Sequence, residues 1–186
     1  GAPTDTWGPG TATQKPRCFL YYGTPLTGDF EIETLIDMPY SRDQYRHMGL
    51  GVVAQLTGGT PPDANLDMTN LLLFGPYHTG EIRILRGDNN VFNDSTNNAI
   101  DTQVAYGYTG YTYNLRLRKA GRLFTGSVSI DGSTYTEICR YTFSHDLGPV
   151  YVGFLSKSWY LASGQLPLYF DYLKISPLTT SGAFES

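Results

Sequence analysis

Glu31 and Glu33 stand at alternate positions, the spacing at which two carboxylates on a strand share one face. Retaining glycoside hydrolysis uses two such carboxyls about 5–5.5 Å apart, one as nucleophile and one as acid. Here the next position in step is Leu35, so no third acid directly follows the pair. The pair is therefore read as two solvated strand carboxylates. A serine triad is not supported either: no G-x-S-x-G elbow occurs, and His47, His78 and His145 have no nucleophile in motif context. In Ser129 to Tyr135, Asp131 is expected to accept backbone N–H bonds in a hairpin turn. Asp88-Asn89-Asn90 and Asn93-Asp94-Ser95 supply hard oxygen donors but lack the glycine and terminal glutamate of an EF-hand loop, and read as surface turns.

Binding chemistry has more candidates than catalysis. Trp159-Tyr160 is a pair of adjacent bulky aromatics between two strand-like runs, so at least one ring faces solvent. It serves either as a platform for a ligand or as an anchor over the end of the domain. Tyr77-His78 follows Gly75-Pro76, which ends a strand and leaves both side chains at a loop tip. Arg116 and Arg118 alternate with Leu115 and Leu117 and form the polar side of a strand, able to contact an acidic or polyhydroxylated ligand. Tyr106, Tyr108, Tyr111 and Tyr113 form either an aromatic ladder or ordinary cross-strand packing.

The 186 residues suit one domain with a sizeable core. A formal net charge of -4, with 13 scattered Lys and Arg, argues against a nucleic-acid surface, which needs clustered cations. No apolar run approaches the roughly 18 residues that cross a bilayer, so no membrane span is expected. The start of the chain has no basic segment followed by an apolar one, as in a mature or excised chain. Cys18 and Cys139 are too few for a disulfide framework and form either one bridge or two buried thiols.

The elements that must hold these residues are strands. Fifteen Tyr favour the pleat, while 21 Gly and 11 Pro punctuate turns. Along 30–36, Phe30, Ile32, Thr34 and Ile36 alternate with Glu31, Glu33 and Leu35, the period of a strand with one face buried. Further strands are expected over 18–22, 47–56, 70–74, 81–86, 102–106, 113–119, 123–130, 135–143, 150–155 and 168–175, with no helix longer than about two turns. A two-residue turn at Gly121-Arg122 sets Ala120 opposite Leu123. That register pairs Leu115 with Val128 and Tyr113 with Ile130 on one face, and Arg116 with Ser127 and Arg118 with Thr125 on the other. The meander continues through the tight turn at Asp131-Gly132.

The runs Gly28 to Thr34 (GDFEIET), Asn114 to Gly126 (NLRLRKAGRLFTG), Ser129 to Tyr135 (SIDGSTY), Val150 to Phe154 (VYVGF) and Phe170 to Ile175 (FDYLKI), in this order, resemble the concanavalin A-like/laminin G-like lectin-glucanase superfamily. They are similar in particular to its small bacterial domains associated with glycoside hydrolases. The resemblance implies an all-β, two-sheet antiparallel jelly-roll sandwich over 17–176, with an extended arm over 1–16 and a tail over 177–186. It implies a secreted (extracellular or periplasmic) domain without chemistry of its own. Such a domain binds a polysaccharide or oligosaccharide on a concave sheet face or edge loops, and the candidate contacts read above are Trp159 and Tyr160, Tyr77 and His78, and Arg116 and Arg118. A structural calcium is the cofactor such folds carry, with Asp171 of the C-terminal Phe-Asp strand as ligand, and a neighbouring catalytic domain is the expected protein partner. The alternatives are a glucanase-type hydrolase with other carboxylates and a protein-contacting adhesion module.

Overall fold

The computed structural model describes residues 18–37, 46–54, 70–77, 82–89, 91–93, 112–158 and 169–178. In chain order the strands are β1 Cys18–Tyr21, β2 Phe30–Asp37, β3 Arg46–Ala54, β4 Leu71–Pro76, β5 Ile82–Asp88 and β6 Val91–Asn93. They continue as β7 Thr112–Ala120, β8 Leu123–Ser129, β9 Thr136–Thr142, β10 Val150–Ser158, β11 Tyr169–Phe170 and β12 Lys174–Pro177. No helix occurs among the described residues. The first sheet runs β1-β10-β3-β4-β5-β6; the second runs β11-β2-β7-β8-β9, with β12 also paired to β2. All pairings are antiparallel. The strand expected over 102–106 lies outside the described residues.

The core follows from alternation. Phe30, Ile32, Thr34 and Ile36 point inward from β2, as do Tyr113, Leu115 and Leu117 from β7. They meet Leu50 and Val52 of β3, Leu72 and Phe74 of β4, Ile82 and Ile84 of β5, and Val150 and Val152 of β10. Burying one face of each sheet against the other is what makes two amphipathic sheets stable. The packing is close enough that Gly126 of β8 has no room for a side chain: a Cβ there would lie 2.5 Å from Phe74 Cε2 and 2.7 Å from Cys139 Sγ.

The β7–β8 register places Ala120 opposite Leu123, Leu115 opposite Val128, Arg116 opposite Ser127 and Arg118 opposite Thr125, as the sequence requires. The ladder stops at Asn114–Ser129, so Tyr113 and Ile130 do not pair; Tyr113 is buried while Ile130 is 70% exposed in the following turn. Asp131 builds that turn by accepting the N–H groups of Ser133 and Thr134 and the Ser129 hydroxyl, each at 2.8 Å. These donors hold its carboxyl below the ordinary range. Gly121 (φ 58°) and Gly132 (φ 73°) occupy the left-handed conformation that the two turns need and that only glycine adopts without strain. The run expected as one strand over 168–175 is two, β11 and β12, both paired to β2 and interrupted between them. Cys139 is buried between the sheets, and the side chain of Cys18 lies outside the described ones.

The outer sides of the two sheets differ in character. Val53, Leu71, Leu73, Leu85 and Leu155, with Phe19, form a second buried apolar cluster on the outside of the first sheet. The outside of the second sheet is polar, as described below. The edges differ too. At the β5/β9 edge, Arg86 donates to Tyr141 Oη at 2.6 Å and stacks on its ring. Asp88 there accepts Tyr141 Oη–H at 2.7 Å, Ser144 N–H at 2.8 Å and Ser144 Oγ–H at 2.6 Å. This ties the two sheets together. At the β1/β12 edge the layers part into an apolar slot of 560 Å³.

Candidate functional site

The outward positions of β2 are Glu31, Glu33, Leu35 and Asp37, opposite Arg118, Arg116, Asn114 and Thr112 of β7. Lys174 of β12 lies opposite Glu33 on the other side, and Tyr169 of β11 lies opposite Asp37. Because paired residues project to the same side, these groups share the outer face of the second sheet. Ser127 and Thr125 of β8, then Glu137 and Arg140 of β9, continue it.

Glu33 is the centre of this face and is only 5% exposed, which overturns its reading as a solvated strand carboxylate. Alternation placed it outward, but neighbouring side chains close over it. Lys174 Nζ donates to its Oε1 at 2.7 Å; Arg116 and Tyr135 Oη donate to its Oε2 at 3.1 and 2.8 Å. Arg116 Nε lies 3.3 Å from Glu31 Oε1, so one guanidinium spans both carboxylates. That guanidinium also sits 3.5 Å from the centroid of the Tyr135 ring. Tyr172 Oη donates to Asn114 Oδ1 at 3.3 Å beside this network.

The electrostatics are those of a locked network. Burial pushes the Glu33 carboxyl upward, yet the hydrogen bonds from Lys174, Tyr135 and Arg116 outweigh it and hold the pKa at about 2. Burial, and then donation to Glu33, raise the Tyr135 phenol. Burial also raises the Tyr172 phenol. Glu33, ordinarily at 4.5, is therefore depressed on folding, so its contribution is fully present above about pH 4.5 and is lost as pH falls toward 2. The amplitude is about 3 kcal/mol. Urea unfolding of the protein and of Glu33→Gln between pH 7 and pH 2.5 is expected to show an acid loss about that much shallower in the variant; equal losses would contradict the network.

Two aromatic rings are exposed on this face: Tyr169 is 56% exposed and Tyr172 is 38% exposed. Tyrosine rings of this kind offer an apolar surface to sugar C–H groups, while the flanking amide, carboxylates and cations suit hydroxyls. A general acid or base needs a pKa near the working pH, which Glu33 does not have.

The residues singled out in the sequence fall in different places. Arg116 and Arg118 are on this face. Tyr77 is on the outer side of the first sheet, its ring under the Arg83 guanidinium at 4.0 Å and edge-on to His47 at 5.7 Å, so it does not join them. Trp159, Tyr160 and His78 lie outside the described residues. Asp171 is exposed, with its N–H bonded to Leu35 O at 3.1 Å. Among the described residues no three His, Cys, Asp or Glu side chains come together as a metal-holding group. Asp88 is saturated by protein donors. The slot at the β1/β12 edge is lined by Leu20, Leu26, Phe154, Leu173, Ile175 and two tyrosines, with no amide or charged side chain to meet a sugar.

Sequence reading missed Tyr169, Tyr172, Tyr135 and Lys174. The signal was present in part, since Tyr172 and Lys174 are two apart in the quoted Phe170 to Ile175 motif. Only the pairing of β12 with β2 shows that Lys174 meets Glu33.

No family model and no curated protein matches the chain. Solved structures do. A functionally unknown protein from Saccharomyces cerevisiae aligns with a TM-score of 0.64 at 18% identity, over 96% of this chain and 85% of its own. The GH43 BlXynB protein from Bacillus licheniformis aligns with a TM-score of 0.58 at 10% identity, over 81% of this chain; only 28% of that protein is covered. The exoplasmic/lumenal domain of VIP36 in its Ca²⁺-bound form aligns with a TM-score of 0.54 at 10% identity, over 88% of this chain and 74% of its own. At such identities the likeness is one of fold: the chain is an all-β, two-sheet antiparallel sandwich of the concanavalin A-like, lectin-like kind.

Proposed function

We propose that this protein is a non-catalytic glycan-binding domain whose site is the outer face of its second sheet. The observation that carries the reading is the placement of two exposed tyrosine rings, Tyr169 and Tyr172, beside a fixed Glu31–Arg116–Glu33–Lys174 network. Tyr172 is the stacking platform, and Arg116, Lys174, Asn114 and Glu31 meet the hydroxyls. Because Tyr135, Glu33 and Arg116 already hold one another, little side-chain freedom is lost when a ligand arrives, which favours binding. The VIP36 domain, which shares the fold, has been solved with Man3GlcNAc bound, which supports a sugar ligand for such a scaffold.

A hydrolytic role is disfavoured by the state of the Glu31–Glu33 pair. Glu33 is a weak base with a pKa of about 2 and has both oxygens occupied. In this reading the domain works outside the cytoplasm beside a carbohydrate-active enzyme, holding the polymer on which that enzyme acts.

Affinity electrophoresis against a panel of soluble polysaccharides tests the proposal. Tyr172→Ala is expected to weaken retention by the intact protein about tenfold, the loss of one stacked ring at roughly 1–1.5 kcal/mol. Retention unchanged by Tyr172→Ala and by Tyr169→Ala would remove this face as the site.

A further inference from the structure

Resting on that reading of the face, the pattern of charge across it identifies the class of glycan. At the paired strand positions among the described residues the outward acids are Glu31, Glu33, Asp37 and Glu137, and the outward cations are Arg116, Arg118, Arg140 and Lys174. The exposed Asp171 beside Tyr172 adds a fifth acid, and three of the four cations are held by acids. Lys174 and Arg116 are committed to Glu33, Arg116 also reaches Glu31, Arg118 stands opposite Glu31, and Arg140 is bridged to Glu137. Asp37 accepts a hydrogen bond from Thr112 Oγ1 at 3.1 Å beside Tyr169.

We propose that the ligand is an uncharged glycan lying across the strands, and that uronic-acid and sulfated chains are rejected. A carboxylate or sulfate on a sugar is recognised by a cation with free donors and no competing acid. Here an anionic sugar beside Lys174 or Arg116 would meet Glu33 and Glu31 at the same time, and like charges placed together cost binding energy. A hydroxyl has no such conflict, since it donates to Glu31 and accepts from Arg116 or Lys174 in one plane. The matched row Lys174, Glu33, Arg116, Ser127, Glu137 crosses strands β12, β2, β7, β8 and β9. Adjacent strands lie about 4.8 Å apart, close to the length of one pyranose, so an extended chain along the row sets about one sugar over each strand.

The test is calorimetric titration of the full chain with neutral hexasaccharides (β-linked glucose, xylose and mannose) and with galacturonic-acid and sulfated hexasaccharides, each at 50 and 500 mM NaCl. The expected result is binding of at least one neutral chain with less than a twofold change in Kd between the two salts, and at least tenfold weaker binding of every acidic chain. Affinity should rise with length up to four or five sugars. Tighter binding of an acidic chain that weakens at high salt and is lost in Tyr172→Ala would overturn the charge assignment while leaving the face as the site. Glycan binding that is unaffected by Tyr172→Ala, or no binding to any chain, would overturn the face and the assignment together. As a further control, Asp37→Asn, which leaves the stacking rings in place, is expected to bind acidic chains measurably better than the parent; no gain counts against charge matching.

Discussion

Glu33→Ala is expected to destabilise the protein by about 3 kcal/mol and to abolish retention on every glycan that the parent binds. Removing the carboxylate leaves the Arg116 guanidinium, 31% exposed, and the Tyr135 hydroxyl without their shared acceptor, and frees Lys174. Lys174 is 61% exposed and Arg116 keeps Glu31, so the loss is that of the Glu33 hydrogen bonds rather than the larger cost of a fully buried, unpaired charge. For a domain whose total stability is of order 5–15 kcal/mol, the loss corresponds to a fall in Tm of roughly 10 °C. Glu33→Gln keeps an acceptor for Tyr135 and is expected to lose less. Thermal unfolding of both variants checks this, and a fall in Tm under about 2 °C for Glu33→Ala would show that the network is ornamental to the fold. The effect on binding has the same cause: Arg116 and Lys174 no longer have a fixed position from which to meet a ligand.

Phe74→Ala is expected to cost about 3–5 kcal/mol through a cavity between the sheets, far from the outer face. Phe74 is fully buried, and its ring edge occupies the space over Gly126 in the opposing sheet. The same geometry predicts coupling. Gly126→Ala sets a Cβ 2.5 Å from Phe74 Cε2 and is expected to cost about 1–3 kcal/mol by overpacking. In Phe74→Ala the ring is gone, the added methyl partly fills the cavity and only the Cys139 Sγ contact at 2.7 Å remains, so the double variant should be more stable than the sum of the two single losses by about 1 kcal/mol. Urea midpoints for the four proteins give the coupling directly; strict additivity would contradict the contact. Glycan affinity of the folded fraction should be unchanged in all of them, which separates core from site.

Local patterns in the sequence carried the architecture well. The β7–β8 register was legible because a tight turn and the apolar period of 2 both specify it, down to Arg116 opposite Ser127. The inward face of β2 and the turn role of Asp131 were legible for the same reason, since each depends on residues a few positions apart. The site was less so. Glu33 takes its partners from 83, 102 and 141 residues away. Alternation tells which face a side chain leaves by, but not what will lie over it, and so a buried, ionised Glu33 read as a solvated one. Tyr77 and Arg116, separate candidates in the sequence, lie on the outer sides of different sheets, which strand alternation alone does not reveal. The break between β11 and β12 was invisible to propensity because both pieces pair with β2.

The central claim is that sugar rests on the outer face of the second sheet. It is tested most directly by backbone and tyrosine-ring NMR shifts of the intact, isotope-labelled protein during titration with the best-bound oligosaccharide. The expected result is a contiguous set of saturating shifts at Tyr169, Tyr172, Lys174, Glu31, Asn114 and Arg116, with the Tyr77 and His47 signals unmoved. Saturating shifts centred on Tyr77 and His47, with the Tyr172 ring unchanged, would contradict the claim.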